Sequence, residues 1–272
     1  SFDSDGFTVG AATVTGGTNY NGESFASWNW KANGTGSSNT DGSINTTSTS
    51  VNTDAGFSIS TWTGNATSGA SIGHGLSKKP DLIISRQRSG ANNWLMYHKS
   101  LGATKHIALE VTDGSYTTSN IWNDQEPTTS VFYVGNNASA NGNTETYVTY
   151  CFHDVDGYSK FGSYTGNGES YDGPFIYTGF RPQYVQWKKS NAHGQIWQTF
   201  GYVGQAGSSQ IINPLDRYLA SDSGGAEGDY DFVDFTSNGF KLRHNSTHAN
   251  ADGDTYIYMA FAETPFKYAN AR

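Results

Sequence analysis

The chain repeats itself, and the repeat is long. Trp62-Thr-Gly-Asn65, then Gly75-Leu76, then Pro80 ahead of Leu82-Ile83-Ile84, returns as Tyr164-Thr-Gly-Asn167, Gly179-Phe180, and Pro182 ahead of Tyr184-Val185-Gln186-Trp187. Val131-Phe132-Tyr133-Val134 is matched by Gly239-Phe240-Lys241-Leu242, and Thr146-Tyr-Val-Thr-Tyr-Cys-Phe152 by Thr255-Tyr-Ile-Tyr-Met-Ala-Phe261. The landmarks keep their order, which marks a tandem duplication. A period of about 100 residues exceeds the ~20–50 of solenoid and propeller units, so each copy is expected to be a domain of its own. Gly6-Phe-Thr-Val-Gly10, Asn21-Gly22 and residues 24–30 read as the closing third of a further copy. The expected division is therefore a truncated repeat at 1–34, a Ser/Thr/Asn-rich linker or extended edge at 35–54, and full repeats at 55–160 and 161–272. The aromatic face of the fragment, Phe25, Trp28 and Trp30, is expected to pair with upstream chain or a neighbouring molecule.

Composition settles the class. Only 15% of residues are charged, 33 are Gly and 14% are aromatic, a balance that supplies core while punctuating the chain too often for long helices. Many short strands between regular turns predict an all-β protein of tandem, jelly-roll-like β-sandwich domains. Pro80 and Pro182 each open an apolar strand, a position where the missing N–H costs no ladder bond. Asn21-Gly22, Asn141-Gly142 and Asp252-Gly253 stand just before aromatic, β-branched strands, and such dipeptides suit type I′ turns. Each repeat is thus expected to close with a β-hairpin from the Phe132 or Phe240 strand into the aromatic strand. Residues 213–221 are a helical candidate without sustained 3.6-residue periodicity.

Several chemistries are excluded or unsupported. A net charge of −8, with no basic run longer than Lys78-Lys79 or Lys188-Lys189, argues against nucleic-acid binding. No apolar stretch approaches the ~18 residues of a membrane span, so no membrane insertion is expected. Cys151, the single cysteine, fits a buried small residue in a strand. Asp154/Asp156, Asp229/Asp231/Asp234 and Asp252/Asp254 cluster, and two carboxylates could cleave a glycan, but most sit in glycine-rich turns. No nucleophile elbow, zinc-protease helix or phosphate loop is present. Asp3-Ser-Asp5-Gly6 and Asp154-Val-Asp156-Gly157 open like calcium loops, yet Val14 and Thr165 stand where the bidentate Glu belongs. A non-enzyme without metal or other cofactor is expected.

Trp28-Asn-Trp-Lys-Ala32, Tyr158-Ser-Lys-Phe-Gly-Ser-Tyr-Thr-Gly-Asn167, Asp172-Gly-Pro-Phe-Ile-Tyr-Thr-Gly-Phe-Arg-Pro182, Asn238-Gly-Phe-Lys-Leu-Arg243 and Thr255-Tyr-Ile-Tyr-Met-Ala-Phe-Ala262 carry a likeness. They resemble a repeated β-rich domain of large virion proteins of marine tailed bacteriophages. The resemblance spans nearly the whole chain and implies a virion component on the particle surface, a tail fibre or spike. It implies other virion proteins and further copies of itself as partners, a trimer by analogy, and a host cell-surface glycan or protein as target. It brings no catalytic residues, because the shared positions are Gly, Pro and aromatics.

Shared aromatics are expected in the core, Phe132 with Phe240 and Trp122 with Tyr230 among them. Binding is expected where the copies diverge, at 87–127 and 189–232, on loops displayed by rigid sandwiches. Tyr116, Tyr171, His193 and Tyr202 are the candidates for stacking on a sugar ring or meeting a cell-surface protein. The expected function is an adhesin acting multivalently. A connector binding other virion proteins and a glycan depolymerase are the alternatives.

Overall fold

A computed structural model describes residues 6–11, 18–22, 25–201 and 213–263, with the side chains of 230–232 left out. The chain forms two compact units, Ser1–Trp30 and Lys31–Arg272. In the first, Asn19 Nδ2 donates to Gly10 O at 3.0 Å, and Phe7, Val9 and Phe25 are exposed.

The second unit contains both full repeats as two lobes that share an interface. The first lobe comprises β1 (Ser48–Asn52), β2 (Phe57–Thr63), β3 (Ala70–Gly73), β4 (Leu82–Gln87), β5 (Leu95–His98), β6 (Lys105–Ala108) and β7 (Tyr116–Thr117). It continues through the one-turn helix α1 (Ser119–Trp122), β8 (Val131–Val134), the one-turn helix α2 (Ala138–Asn141) and β9 (Thr146–Phe152). The second comprises β10 (Ser159–Thr165), β11 (Phe175–Tyr177), β12 (Pro182–Lys189), β13 (Gln198–Gly201), β14 (Leu215–Tyr218), β15 (Gly228–Thr236), β16 (Gly239–Leu242) and β17 (Thr255–Ala262). A seven-stranded sheet, β1-β2-β9-β4-β5-β6-β7, covers the pair β3-β8 in the first lobe. Two four-stranded sheets, β10-β17-β12-β13 and β11-β16-β15-β14, sandwich the second core. The fold is all-β and sandwich-like, built of antiparallel sheets with no closed barrel.

Period-two patterning places the cores. Along β9, Tyr147, Thr149 and Cys151 point inward, and Thr149 is satisfied by Trp62 Nε1 at 3.0 Å and Ser85 Oγ at 2.8 Å. Burial pushes the Cys151 thiol far up, as befits a small core residue. The matched aromatics pack alike in both copies. Trp62 stacks on Tyr147 with centroids 4.4 Å apart and meets Phe132 edge-on; Tyr164 stacks on Tyr256 at 5.0 Å and meets Phe240 edge-on. Each such pair contributes about 0.5–1.5 kcal/mol beyond its burial. Trp122 is buried, while the Tyr230 side chain lies outside the described set.

The repeats do not close with hairpins. β8 pairs with β3 and β9 with β2 and β4, so the chain crosses between layers; β16 and β17 likewise belong to different sheets. Gly142 has φ −62°, and Asn141 is the buried end of α2, so no type I′ turn forms there. The cause is a buried amide with a tertiary task. Asn141 Oδ1 accepts from Asn65 N at 2.9 Å, and its Nδ2 donates to Asn65 Oδ1, Thr67 O and Gly135 O at 3.2, 3.0 and 3.1 Å. In the second lobe Asn250 Oδ1 accepts from Asn167 N at 2.9 Å, and its Nδ2 donates to Asn167 Oδ1 and Glu169 O, both at 3.0 Å. The repeated Thr-Gly-Asn string is thus one half of a clamp. Its glycine is required by close approach: a Cβ on Gly64 would lie 2.2 Å from Gly142 O, and one on Gly166 2.2 Å from Ala251 O. Asn141→Ala removes the acceptor of the Asn65 N–H and three donated bonds of the clamp, at a cost of about 2–3 kcal/mol. Urea unfolding should register that loss, with Asn250→Ala giving a similar one.

Two further expectations need correction. The 35–54 segment is no linker: β1 forms the edge of the large sheet, Ile44 enters the core beside Ile72, and Ile44 N bonds Ser71 O at 2.9 Å. Only the extended-edge half of that reading matches. Residues 213–221 hold strand β14, because Asn213 brackets the Phe235 backbone through its amide, Nδ2 to O at 2.8 Å and N to Oδ1 at 2.9 Å. That side chain starts the ladder and leaves no helical turn to form.

Candidate functional site

Two places gather chemistry, the seam between the lobes and a ledge on the second lobe. At the seam the outer faces of the large sheets meet. Leu82, Met96 and His98 close on Trp197, Ile257 and Met259, leaving no space for a water molecule. His98 Nδ1 accepts from Ser100 N at 3.2 Å, so Nε2 carries the proton and donates to Tyr258 O at 3.1 Å across the seam. Trp197 Nε1 donates to Ala108 O at 2.9 Å. Lys188, fully buried, donates to Val111 O at 2.8 Å, to Gln195 O, and to Asp222 Oδ2 at 3.4 Å, with its ammonium 5.6 Å from the Trp197 ring. Burial lowers the Lys188 pKa, with Asp222 opposing.

At the rim of the same seam, Tyr116 and His193 come together. Their rings are 5.2 Å apart, and Asp113 bridges them, accepting from Tyr116 Oη at 2.7 Å and lying 3.2 Å from His193 Nδ1. The two hydrogen bonds hold the Asp113 carboxyl below the usual range. These two candidates, far apart in sequence, form a latch between lobes. Tyr202 lies outside the described residues.

Tyr171 lies elsewhere, on the ledge. It is 82% exposed, and with it stand Phe175 and Tyr177, 47% and 64% exposed, on edge strand β11. Alternation puts Ile176 in the core and both neighbours outward. Beneath the ledge, Lys241 Nζ donates to Asp172 Oδ1 at 2.6 Å and Gly173 O at 2.9 Å. Arg243 Nε donates to Asp234 Oδ2 at 2.6 Å, and a terminal nitrogen to Tyr171 O at 3.0 Å. Lys241 holds the Asp172 carboxyl below its usual range. The Phe175 ring lies against Gly239, where a Cβ would come 2.9 Å from Cζ and 2.1 Å from Ile176 O. The result is an exposed apolar strip on a braced strand, with fixed charges at its side. Sequence reasoning missed Phe175 and Tyr177, although register offered a signal. Ile72 faces Phe132 as Ile176 faces Phe240, so the first lobe has Ser71 and Gly73 at the outward positions.

Three of the carboxylates flagged for glycan cleavage, Asp154, Asp234 and Asp254, are held in ion pairs. Asp154 accepts from Lys99, Lys160 and Phe161 N at 2.9, 2.7 and 2.8 Å; Asp234 pairs with Arg243 and Asp254 with Lys189. Among the described residues no group of three or more His, Cys, Asp or Glu could hold a metal ion. No helix among them is long and apolar enough to cross a membrane.

A family model described as a domain of unknown function (DUF7483) matches residues 1–265. The chain belongs to the DUF7483 family. The match takes in the N-terminal unit and both lobes, so the family unit is the duplicated arrangement rather than a single sandwich. No curated protein and no solved structure matches the chain.

Proposed function

We propose that this DUF7483 chain is a non-enzymatic adhesin of a tailed-phage appendage, acting at the virion surface and meeting a host surface glycan or protein with the Tyr171–Phe175–Tyr177 ledge. The observation that carries the reading is the exposure of three aromatic side chains within residues 171–177, a segment tied to Lys241 at Asp172 and Gly173 and to Arg243 at the Tyr171 carbonyl. Such a strip is costly to leave in water and is ready to stack on the apolar face of a ring without reordering. The sequence resemblance to phage virion proteins supplies the setting. Ion pairing of Asp154, Asp234 and Asp254, one in each acidic cluster, favours binding over cleavage.

The test is adsorption. The purified chain is applied to a panel of bacterial surface polysaccharides and to whole host cells. Phe175→Ser/Tyr177→Gly, which installs the first lobe's residues, should weaken binding about tenfold from the loss of two aromatic contacts. Glycine in a strand costs about 0.5–1 kcal/mol, so the variant should remain folded with a small loss of stability. Undiminished binding by that variant, or release of new reducing ends from a polysaccharide, defeats the reading.

A further inference from the structure

Each lobe carries the same trio on the outer face of its large sheet, a cation over an indole with an acid beneath. In the second it is Lys188, Trp197 and Asp222; in the first, Arg86, Trp94 and Glu110. The cation stands 5.6 Å from the ring in one and 5.4 Å in the other. The acid accepts from the tryptophan's backbone N–H in both, at 3.1 Å from Trp197 and at 2.9 and 3.0 Å from Trp94. The ion pairs measure 3.4 and 3.7 Å.

The trios differ in what covers them. A turn of the first lobe, residues 108–112, caps the second lobe's trio with its backbone: Ala108 O receives Trp197 Nε1, Leu109 O receives Ser221 Oγ, Val111 O receives Lys188 Nζ and Thr112 O receives Gln195 N. The Lys188 and Asp222 side chains are fully shielded as a result. Arg86 and Glu110 keep 27% and 32% of their side chains exposed, and the Trp94 indole N–H meets no acceptor among the described residues. The second lobe owns the matching turn. Leu219 bridges Thr199 in the place where Ile107 bridges Met96, and residues 220–224 follow, with Ser221, Ser223 and Gly224 exposed. Among the described residues, one molecule therefore presents an uncapped trio at one lobe and, at the other, a matching turn whose Ser221 bonds the first lobe and whose Asp222 pairs with Lys188, while its Ala220, Ser223 and Gly224 carbonyls cap nothing in the first lobe.

We propose that copies of this chain associate head to tail, the turn at residues 220–224 of one molecule capping the Arg86–Trp94–Glu110 trio of the next. The occupant is a second copy because the contact already exists within the chain, and both of its halves recur unmatched. Trp94 Nε1 then donates to Ala220 O and Arg86 to Ser223 O, in the roles of Trp197 and Lys188. The two surfaces are unlike, so the contact is heterologous and generates a ring or a filament rather than a two-fold dimer.

Directional disulfide trapping tests this. Gln195 N donates to Thr112 O at 3.0 Å in the internal seam, so the backbones at these two positions are direct neighbours. The corresponding positions for two copies are Asn92 and Gly224, and a Cβ on Gly224 meets nothing within 4 Å. Full-length Asn92→Cys and Gly224→Cys chains are mixed and oxidised; Cys151 is buried and takes no part. A covalent dimer should form in the mixture and not from either chain alone. The wild-type chain should gain mass with concentration in sedimentation, and Arg86→Glu should weaken that association at least tenfold. A wild type that stays monomeric at its solubility limit overturns the proposal. So does association untouched by Arg86→Glu, or a dimer formed as readily by one cysteine chain alone.

Discussion

Lys188→Met is expected to lower the unfolding free energy by about 3–5 kcal/mol, the usual result of removing one partner from a buried ion pair. The ammonium and the Asp222 carboxylate are both shielded from solvent, and Lys188 also satisfies the carbonyls of Val111 and Gln195. Without the cation, Asp222 keeps only the Trp197 backbone N–H, and its other oxygen already lacks a protein donor. The carboxylate is then left buried without a counter-charge. Lys188→Met/Asp222→Leu removes both charges and should recover most of the loss, since apolar replacement of a whole buried pair is often neutral. Urea denaturation of the two variants measures the difference. A single substitution costing under about 1 kcal/mol would place the pair in an environment as screened as the surface. Because Lys188 reaches Val111 across the seam, the single variant should also loosen the lobes, raising amide exchange around residues 108–115 ahead of global unfolding.

The duplication was legible because the residues that build the clamp and the stacked pairs cannot vary without cost. Trp62 and Tyr164 sit on equivalent tyrosines, and Gly64 and Gly166 leave no space for a methyl group. The layer crossing was not legible. Asn-Gly satisfies local turn chemistry, and nothing in the dipeptide reveals that the Asn141 amide is committed to Asn65 and Thr67. The trios were hidden for another reason: Lys replaces Arg and Asp replaces Glu, and insertions displace the acid relative to the tryptophan. Only the shared bond from the tryptophan N–H to the acid exposes the equivalence. Of the proposed contact residues, Tyr116 and His193 found a tertiary partner in Asp113 that no sequence spacing forecasts. Tyr171 was legible as a loop aromatic, and the two rings that accompany it lay in a string read as architecture.

Mild acid should destabilise the second unit well before its carboxylates respond. His74 and His98 are buried, and desolvation lowers both pKa values from 6.5 to about 4. Each ring uses both nitrogens: Nδ1 accepts from a backbone N–H two residues on, Leu76 or Ser100, and Nε2 donates to a carbonyl, Thr128 or Tyr258. A second proton would set Nδ1–H against that backbone N–H. Around His98, Lys99 also disfavours the charged ring while Asp81 and Asp154 favour it; around His74, His153 disfavours it and Asp41 favours it. Burial outweighs these neighbours in both cases. The folded pKa is depressed, so the unfolded chain binds the proton more readily. The stabilisation is complete above about pH 6.5 and is lost as pH falls towards 4, reaching on the order of 3 kcal/mol per ring. Asp154, Glu126 and Asp254 have lowered pKa values, so their ion pairs fail only at more acid pH. The urea midpoint should therefore fall steadily from pH 7 to 4.5, and His74→Gln/His98→Gln should flatten that slope whatever it does to stability at pH 7. A wild-type midpoint constant over this range would mean that water or a local opening reaches the seam and that His98 titrates as a surface residue.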